Sequence, residues 1–284
     1  MTTNTWQIDD IKITRVIEGE SVGPMFLLPD ATKENILTMP WLQPHFADSE
    51  GNCVISIHAL ILETPDRKIM VDTCLGNDKE RAMEMWAHLQ TRFIDDITAA
   101  GYPPETIDTV LCTHLHTDHV GWNTKLVNGS WVPTFENAEY LFGQSEWEYT
   151  EQQRSNPMYE EFIIDSIIPV IDAGKVRYVD VNEQICTGVK LEPTPGHTPG
   201  HVSVRIESGG EKAVITGDFI HHPCQMEHPR WECTADWNTS IAQETRVERL
   251  GAYADEQVLV FGTHFATPSA GKVIRAGEYF RFEV

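Results

Sequence analysis

Thr113-His114-Leu115-His116-Thr117-Asp118-His119 decides how this chain is read. The residues before it, Thr109 to Thr113, read as a short buried strand. A turn from that strand into a helix near His119 would aim three imidazoles and one carboxylate at a single point. Crowding four polar, ionisable side chains is costly unless a cation holds them. One metal does not readily take all four, because a zinc site prefers about four ligands with one position open for chemistry. The spacing therefore suits two adjacent metals that share the cluster.

The remaining ligands have to come from other strand ends. His197 stands in Pro195-Gly196-His197-Thr198-Pro199-Gly200-His201, a loop punctuated by glycine and proline. Asp218 ends the run Ala213-Val214-Ile215-Thr216-Gly217-Asp218, and His264 follows Val258-Leu259-Val260-Phe261 in Gly262-Thr263-His264. A carboxylate such as Asp218 can bridge two cations, one oxygen to each. His114, His116, His119, His197, His264, Asp118 and Asp218 together suffice for a two-metal site with ions about 3.5–4 Å apart. Taken singly they say little: a lone histidine after a strand is usually a hydrogen-bonded structural residue, which is how His201 reads, and Asp218 alone would pass for a turn residue.

Further out, Ile11 to Ile17 alternates as a half-buried strand, and Ser56 to Glu63 with Lys68 to Asp72 reads as a strand pair joined at Pro65-Asp66-Arg67. Met83, Trp86, Leu89, Phe93 and Ile97 recur at helical spacing and predict one core-facing helix over 79–100, stopped by Gly101. The stretch 138–172 mixes a strand, Ala138 to Phe142, with two helical segments. Strands at 189–194, 201–207, 212–216 and 258–261 and a helix over about 240–254 complete the chain. Each histidine-bearing loop follows a strand, which predicts two packed sheets covered by helices, with the chemistry along one sheet edge. Residues 20–52 are broken by Pro24, Pro29, Pro40 and Pro44 yet carry Met25, Phe26, Leu27, Leu28, Trp41 and Phe46. They read as an ordered excursion that packs on the domain or on a second subunit. With no repeat or linker in sight, residues 1–284 are expected to form a single domain.

Composition narrows the partners. The 284 residues hold 21 Lys+Arg against 43 Asp+Glu, a net charge of −22, and no basic cluster. That argues against nucleic acid and against an anionic membrane surface. At 41% hydrophobic residues the chain can bury a sizeable core, so disorder is excluded. No apolar run approaches the roughly 20 residues of a membrane span, and the start, MTTNTWQIDD, lacks the basic and apolar regions of a signal peptide. Cys53, Cys74, Cys112, Cys186, Cys224 and Cys233 form no CxxC pair and read as reduced, mostly buried thiols of a cytoplasmic protein. The expected partner is a small-molecule substrate, and the apolar arm from Phe26 to Phe46 offers a surface for a homodimer.

In that order and context, His114, His116, Asp118, His119, His197, Asp218 and His264 resemble the metallo-β-lactamase superfamily, over a span from about Ile11 to the C-terminus. The resemblance implies an α/β fold: an αβ/βα sandwich, two mixed sheets flanked by helices, with the metal site at one edge. It also implies that His114, His116 and His197 hold one zinc, that Asp118, His119 and His264 hold the other, and that Asp218 bridges them. Asp72 matches the aspartate that orients a ligand histidine in that family. Zinc is the expected metal, although nitrogen and oxygen donors also accept manganese, iron and cobalt.

Within the superfamily, two-zinc β-lactamases carry a cysteine where this chain has Asp218, and the flavodiiron type carries a carboxylate where it has His116. Glyoxalase II holds glutathione with basic residues, whereas near this C-terminus Lys272, Arg275 and Arg281 are the available cations. The runs Gly196 to His201, Thr216 to His221, Gly262 to Pro268 and Ile274 to Phe282 resemble methyl parathion hydrolase and its lactonase relatives. Acyl-homoserine lactonases place a tyrosine three residues after the bridging aspartate, where this chain has His221. The resemblance implies a hydroxide bridging two metals that attacks lactone or ester bonds of small molecules, with phosphotriesters as side substrates. Asp118 would carry the proton to the leaving group and His221 would donate a hydrogen bond to the oxyanion. Trp122, Phe26, Trp41 and Phe142 are candidates for the pocket wall, with core packing the favoured reading. A thioester hydrolase of the glyoxalase II type, a mononuclear iron persulfide dioxygenase with Asp118 and His264 free of metal, and a non-catalytic metal-binding module are the alternatives.

Overall fold

Alternate residues along a strand point to opposite faces of its sheet, and in this chain both faces of the central strands are apolar. The computed structural model describes residues 4–284. In chain order, β1 (Asn4–Ile8), β2 (Ile11–Gly23), β3 (Cys53–Glu63), β4 (Lys68–Val71) and β5 (Thr109–Leu111) come first. A small separate hairpin follows, β6 (Thr124–Val127) with β7 (Ser130–Pro133), and then β8 (Glu139–Gly143) and β9 (Val176–Val179). The first sheet has the order β1-β2-β3-β4-β5-β8-β9, antiparallel as far as β4 and parallel beyond it. The second sheet runs in simple sequence through β10 (Gln184–Cys186), β11 (Val189–Pro193), β12 (Val202–Ser208), β13 (Glu211–Ile215), β14 (Leu259–Phe261), β15 (Ala270–Ala276) and β16 (Tyr279–Glu283). Its one parallel pair, β13 with β14, is joined by the crossover helix Thr239–Glu256, as parallel pairing requires.

Three apolar layers follow from the alternation. Leu60, Leu62, Ile69, Val71 and Leu111 of the first sheet meet Leu191, Val204, Ile206, Ile215 and Phe261 of the second between the two sheets. The opposite faces of the same first-sheet strands, through Ala59, Ile61, Met70 and Val110, cover Phe93 and Ile97 of one helix and Phe162, Ile163, Ile167 and Val170 of another helical stretch. On the far side Val214 and Val260 of the second sheet pack on Leu250, Tyr253 and Ala254 of the crossover helix. The result is helices, sheet, sheet and helices, the mixed α/β sandwich expected from the sequence. Truncating Leu111 to alanine would open the middle layer and cost about 2–5 kcal/mol.

The proline-rich excursion belongs to the outer layer of the second sheet. Met25, Leu28, Ile36, Met39, Leu42 and Phe46 are buried there with Tyr253 and Phe265, while Phe26 stays 74% exposed. The expected long helix over 79–100 is different. Only Phe93–Ala99 is α-helical, preceded by a single 3₁₀ turn at Glu84–Trp86, and Met83 and Met85 are exposed. The reason is Lys79: its buried ammonium donates to Thr124 Oγ1 at 2.6 Å and lies 3.6 Å over the Trp131 ring. The chain is thereby pinned, and the loop closes through His88 N to Lys79 O and Asp78 N to Leu89 O. All six cysteines are free and five are buried. Among the described residues no helix is long and apolar enough to cross a membrane.

Candidate metal centre

Four strand ends build the site. After β5, Asp72 fixes the turn by accepting hydrogen bonds from Thr113 N at 2.8 Å and Thr113 Oγ1 at 2.9 Å, and the short helix Thr117–Val120 then presents His119. After β11, the loop carrying His197 lies against the crossover helix so closely that a Cβ on Gly196 (φ +134) would stand 2.4 Å from Ala242 Cα. After β13, Gly217 turns with φ +58, where a Cβ would stand 2.5 Å from His201 Nε2. His201 Nε2 accepts from Asp218 N at 2.7 Å and its Nδ1 lies 2.8 Å from Thr194 Oγ1, so both ring nitrogens are engaged and this histidine positions Asp218. After β14, His264 is zipped to β3, with Ser56 N donating to His264 O at 3.1 Å and His264 Nδ1 3.2 Å from Ser56 O.

The seven residues singled out in the sequence come together here. Each histidine has one nitrogen engaged from behind: His114 Nδ1 with Thr113 Oγ1 at 3.2 Å, His116 Nε2 with Tyr159 Oη at 3.2 Å, His119 Nδ1 with Asp72 Oδ2 at 3.0 Å, His197 Nδ1 with Asp236 Oδ1 at 3.0 Å, and His264 Nδ1 with Ser56 O. The other nitrogens converge. His116 Nδ1 is 2.9 Å from His197 Nε2, and Asp218 stands between the two halves, with Oδ2 3.4 Å from His119 Nε2 and 3.6 Å from His197 Nε2 and Oδ1 3.1 Å from His264 Nε2. Asp118 flanks His119 and His264 at 3.7 Å and 3.6 Å.

These contacts test whether cations fit. His119, His197 and His264 each give their outer N–H to an oxygen acceptor, which leaves a lone pair on the inner nitrogen. Three lone pairs then face the oxygens of one carboxylate, acceptor against acceptor, which only a proton or a metal ion reconciles. His114 Nε2, His119 Nε2 and Asp218 Oδ1 are buried with no hydrogen-bond partner. The donor atoms fall into the groups His114–His116–His197, His114–His119–Asp218 and Asp118–His119–His264, each within 4.8 Å. The donor set suits divalent cations of the zinc kind.

The electrostatics divide the cluster. Burial holds the imidazoles of His114 and His197 well below their ordinary range and brings His116 down to about 3, each helped by neighbouring histidines, which keeps them neutral, as ligands must be. At His119 and His264 burial is outweighed by the carboxylates of Asp218 and Asp118, which hold both imidazoles above their ordinary range, so a cation there takes the place of protons. Burial alone would push the Asp218 carboxyl up, yet His264, His119 and His221 around it hold it well below the usual carboxylate range.

His221 is brought into the same space. It is buried, with Nε2 3.3 Å from Asp218 Oδ2. The proposed pocket aromatics are not gathered there. Trp122 is buried, stacks on Phe93 and donates Nε1 to Glu18 at 2.6 Å, and Phe142 is a core residue beside the helices. Trp41 donates to Glu227 and packs on the outer layer. Aromatic residues that do adjoin the cluster are Tyr159, behind His116, then Tyr149 with its ring 6.2 Å from Tyr159, and Trp237, 6.4 Å from Tyr149. Sequence reading missed these, as it missed Asp236 and Glu146. The buried Glu146 carboxylate accepts from Leu115 N and from Gly200 N, both at 3.1 Å, and so ties the first histidine loop to the second.

The family described as the metallo-beta-lactamase superfamily matches residues 54–262. An N-acyl homoserine lactonase from a Bacillus species is 26% identical over 225 residues, 74% of this chain and 81% of that protein. Among solved structures, the hydrolase AbOPH of the beta-lactamase superfamily is similar with a TM-score of 0.82 at 25% identity, covering 99% of this chain and 97% of that one. AidC, a dizinc quorum-quenching lactonase solved with the product N-hexnoyl-L-homoserine, shares the fold with a TM-score of 0.80 at 20% identity over 99% of this chain and 96% of its own.

Proposed function

The chain belongs to the metallo-β-lactamase superfamily, and on that premise we propose that this metal-dependent hydrolase is a dinuclear enzyme that cleaves lactone or ester bonds of small molecules. His114, His116 and His197 would hold one ion and Asp118, His119 and His264 the other, with the Asp218 carboxylate within reach of both groups. Two divalent ions bound there supply the Lewis acidity that makes a water nucleophilic near neutral pH and polarises the substrate oxygen.

The chain's own residues do the rest. Thr113, Tyr159, Asp72, Asp236 and the Ser56 carbonyl fix the ring orientations before any ion arrives, so little reorganisation is left for binding. Asp118 is the most open carboxylate of the cluster, its side chain 14% exposed against 5% for Asp218. It is therefore the group placed to take a proton and pass it to the leaving alkoxide. His221 lies against Asp218 on the His197 side and donates to the oxyanion as charge develops. Tyr149, Tyr159 and Trp237 give the approach an aromatic wall, which favours a substrate with an apolar acyl or aryl part.

The observation that carries this reading is the set of three inner imidazole nitrogens, of His119, His197 and His264, turned on the oxygens of the one Asp218 carboxylate. The test is an indicator assay of proton release by metal-loaded protein with lactones, aryl esters, a phosphotriester and a thioester. Lactone or ester turnover is expected, lost in His116→Ala and Asp218→Ala. Turnover of the thioester alone, or silence on every substrate with iron co-purifying, would overturn it. His221→Phe should slow turnover with metal content unchanged; an unaltered rate would remove His221 from the reacting groups.

A further inference from the structure

One sulfur stands at the edge of the cluster with no part in the hydrolytic reading. Cys233 is buried, and its Sγ lies 3.8 Å from His221 Nε2. The donor atoms of Cys233, His221 and His197 all lie within 4.8 Å of one another. The same two imidazoles face Asp218 Oδ2, at 3.3 Å for His221 Nε2 and 3.6 Å for His197 Nε2. A tetrahedral ion with bonds of about 2.3 Å to sulfur and about 2.0–2.1 Å to nitrogen or oxygen sets its ligands about 3.3–3.6 Å apart. The two nitrogen–oxygen separations already fall on that scale, and the sulfur–nitrogen one exceeds it by a few tenths of an ångström.

The segment that carries Cys233 is held firmly. Trp237 N donates to His197 O at 2.9 Å and Asn238 N to Gly196 O at 3.0 Å, so it moves with the His197 loop, while Thr234 N donates to Leu27 O of the N-terminal excursion at 2.9 Å. His197 Nε2 also lies 2.9 Å from His116 Nδ1. A single nitrogen lone pair serves one ion at a time, so an ion held by His197 and Cys233 excludes one held by His197 and His116.

We propose that His197, His221 and Cys233, with Asp218, form an alternative, thiolate-bearing metal seat that soft ions such as cadmium(II) and copper(I) occupy in place of the nitrogen seat at His114, His116 and His197. A thiolate selects softer ions than an all-nitrogen set does. Binding forms a metal–sulfur bond and releases the thiol proton to solvent. It also withdraws His197 and His221 from the hydrolytic arrangement, so the seat is inhibitory. The donor set stands whatever bond the enzyme hydrolyses.

Metal-free protein titrated with cadmium(II) tests this through the ultraviolet sulfur-to-cadmium charge-transfer band. The band should grow to saturation in the wild type, vanish in Cys233→Ser and persist in Cys224→Ser, whose sulfur belongs to no donor group among the described residues. His221→Gln should weaken cadmium binding at least tenfold. No band in the wild type, or an undiminished band in Cys233→Ser, would overturn the proposal and leave Cys233 as a weak hydrogen-bond donor to His221. Should Cys233→Ser not fold, cadmium NMR of the wild type decides: a resonance in the thiolate range supports the seat, and one in the range of nitrogen and oxygen ligands refutes it. Neither readout needs turnover, so a failure of the hydrolase reading is separable from a failure of this one.

Discussion

Asp236 carries the consequence of every histidine being held from behind. It accepts from His197 Nδ1 at 3.0 Å, is itself buried, and has Arg246 3.7 Å away as the nearest positive charge. Asp236→Ala frees the His197 ring and leaves the Arg246 guanidinium without its counter-charge. Metal affinity should fall about 10–100-fold in a chelator competition, with Asp236→Asn falling less because an amide oxygen still accepts the Nδ1 proton. Equal affinity in all three proteins would show that the ring is held by packing alone. The residues that bind each other across short sequence distances were legible from the chain, since His114, His116, Asp118 and His119 occupy one turn. Their supports were not. Tyr159 lies 43 residues from His116, Asp236 lies 39 from His197, and Glu146 lies 31 from Leu115. A lone tyrosine or acid on a polar stretch carries no local pattern, and only the fold brings it to its partner. Asp72 was the exception, and it was legible through its match to the orienting aspartate of the metallo-β-lactamase superfamily, since by local pattern alone it reads as a strand-end turn residue.

At the scale of elements, the strands put forward from the sequence are present, while β1, β6, β7, β9, β10, β15 and β16 were not anticipated and the segment over 79–100 was misread. Strands show themselves by continuous or alternating apolar runs, and β5 and β11 to β14 end within a residue or two of where the sequence put them. The 79–100 pattern failed because helical spacing of Met83, Trp86 and Leu89 was outweighed by burial of one lysine, whose partners Thr124 and Asp165 lie far along the chain. Burial brings the Lys79 amine down to about 7 from 10.5, against the opposing pull of Asp165. The unfolded chain therefore holds a proton between pH values of about 7 and 10.5 that the folded one does not, and the cost of the buried charge is relieved as pH rises through that window. The stability of the wild type relative to Lys79→Met should increase on going from neutral to alkaline pH; a difference constant with pH would contradict this. The turn at Gly217 gives a second prediction. A side chain there meets both a positive φ and His201, so Gly217→Ala should lower stability by about 1–3 kcal/mol in denaturant titrations and displace Asp218. A variant with unchanged midpoint and metal content would show the turn to be pliable.

Over the whole molecule, the two sheets bring loops from both halves of the chain to one edge: Asp72 and the first histidine turn from one sheet, His197, Asp218 and His264 from the other. The middle apolar layer is what holds the two halves of the site in register, and the sequence disclosed it through runs such as Val214-Ile215 and Val260-Phe261. The role of the proline-rich excursion was left open by the sequence between the protein's own surface and a second subunit. It covers the second sheet and reaches the Cys233 segment through Leu27. Ions that bind only the folded state add stability by mass action, about 4 kcal/mol at a free concentration a thousandfold above Kd. Chelation should therefore lower Tm, and restored zinc should raise it again; a Tm indifferent to chelator would place the ions outside the folded cluster. The most direct measurement determines metal content and proton release from a lactone on the same samples of wild type and Asp218→Ala. The account predicts two ions per chain and acid release in the wild type, with loss of metal and of turnover together in the variant. A wild type that carries a single ion, or an Asp218→Ala variant that keeps full turnover, would contradict it.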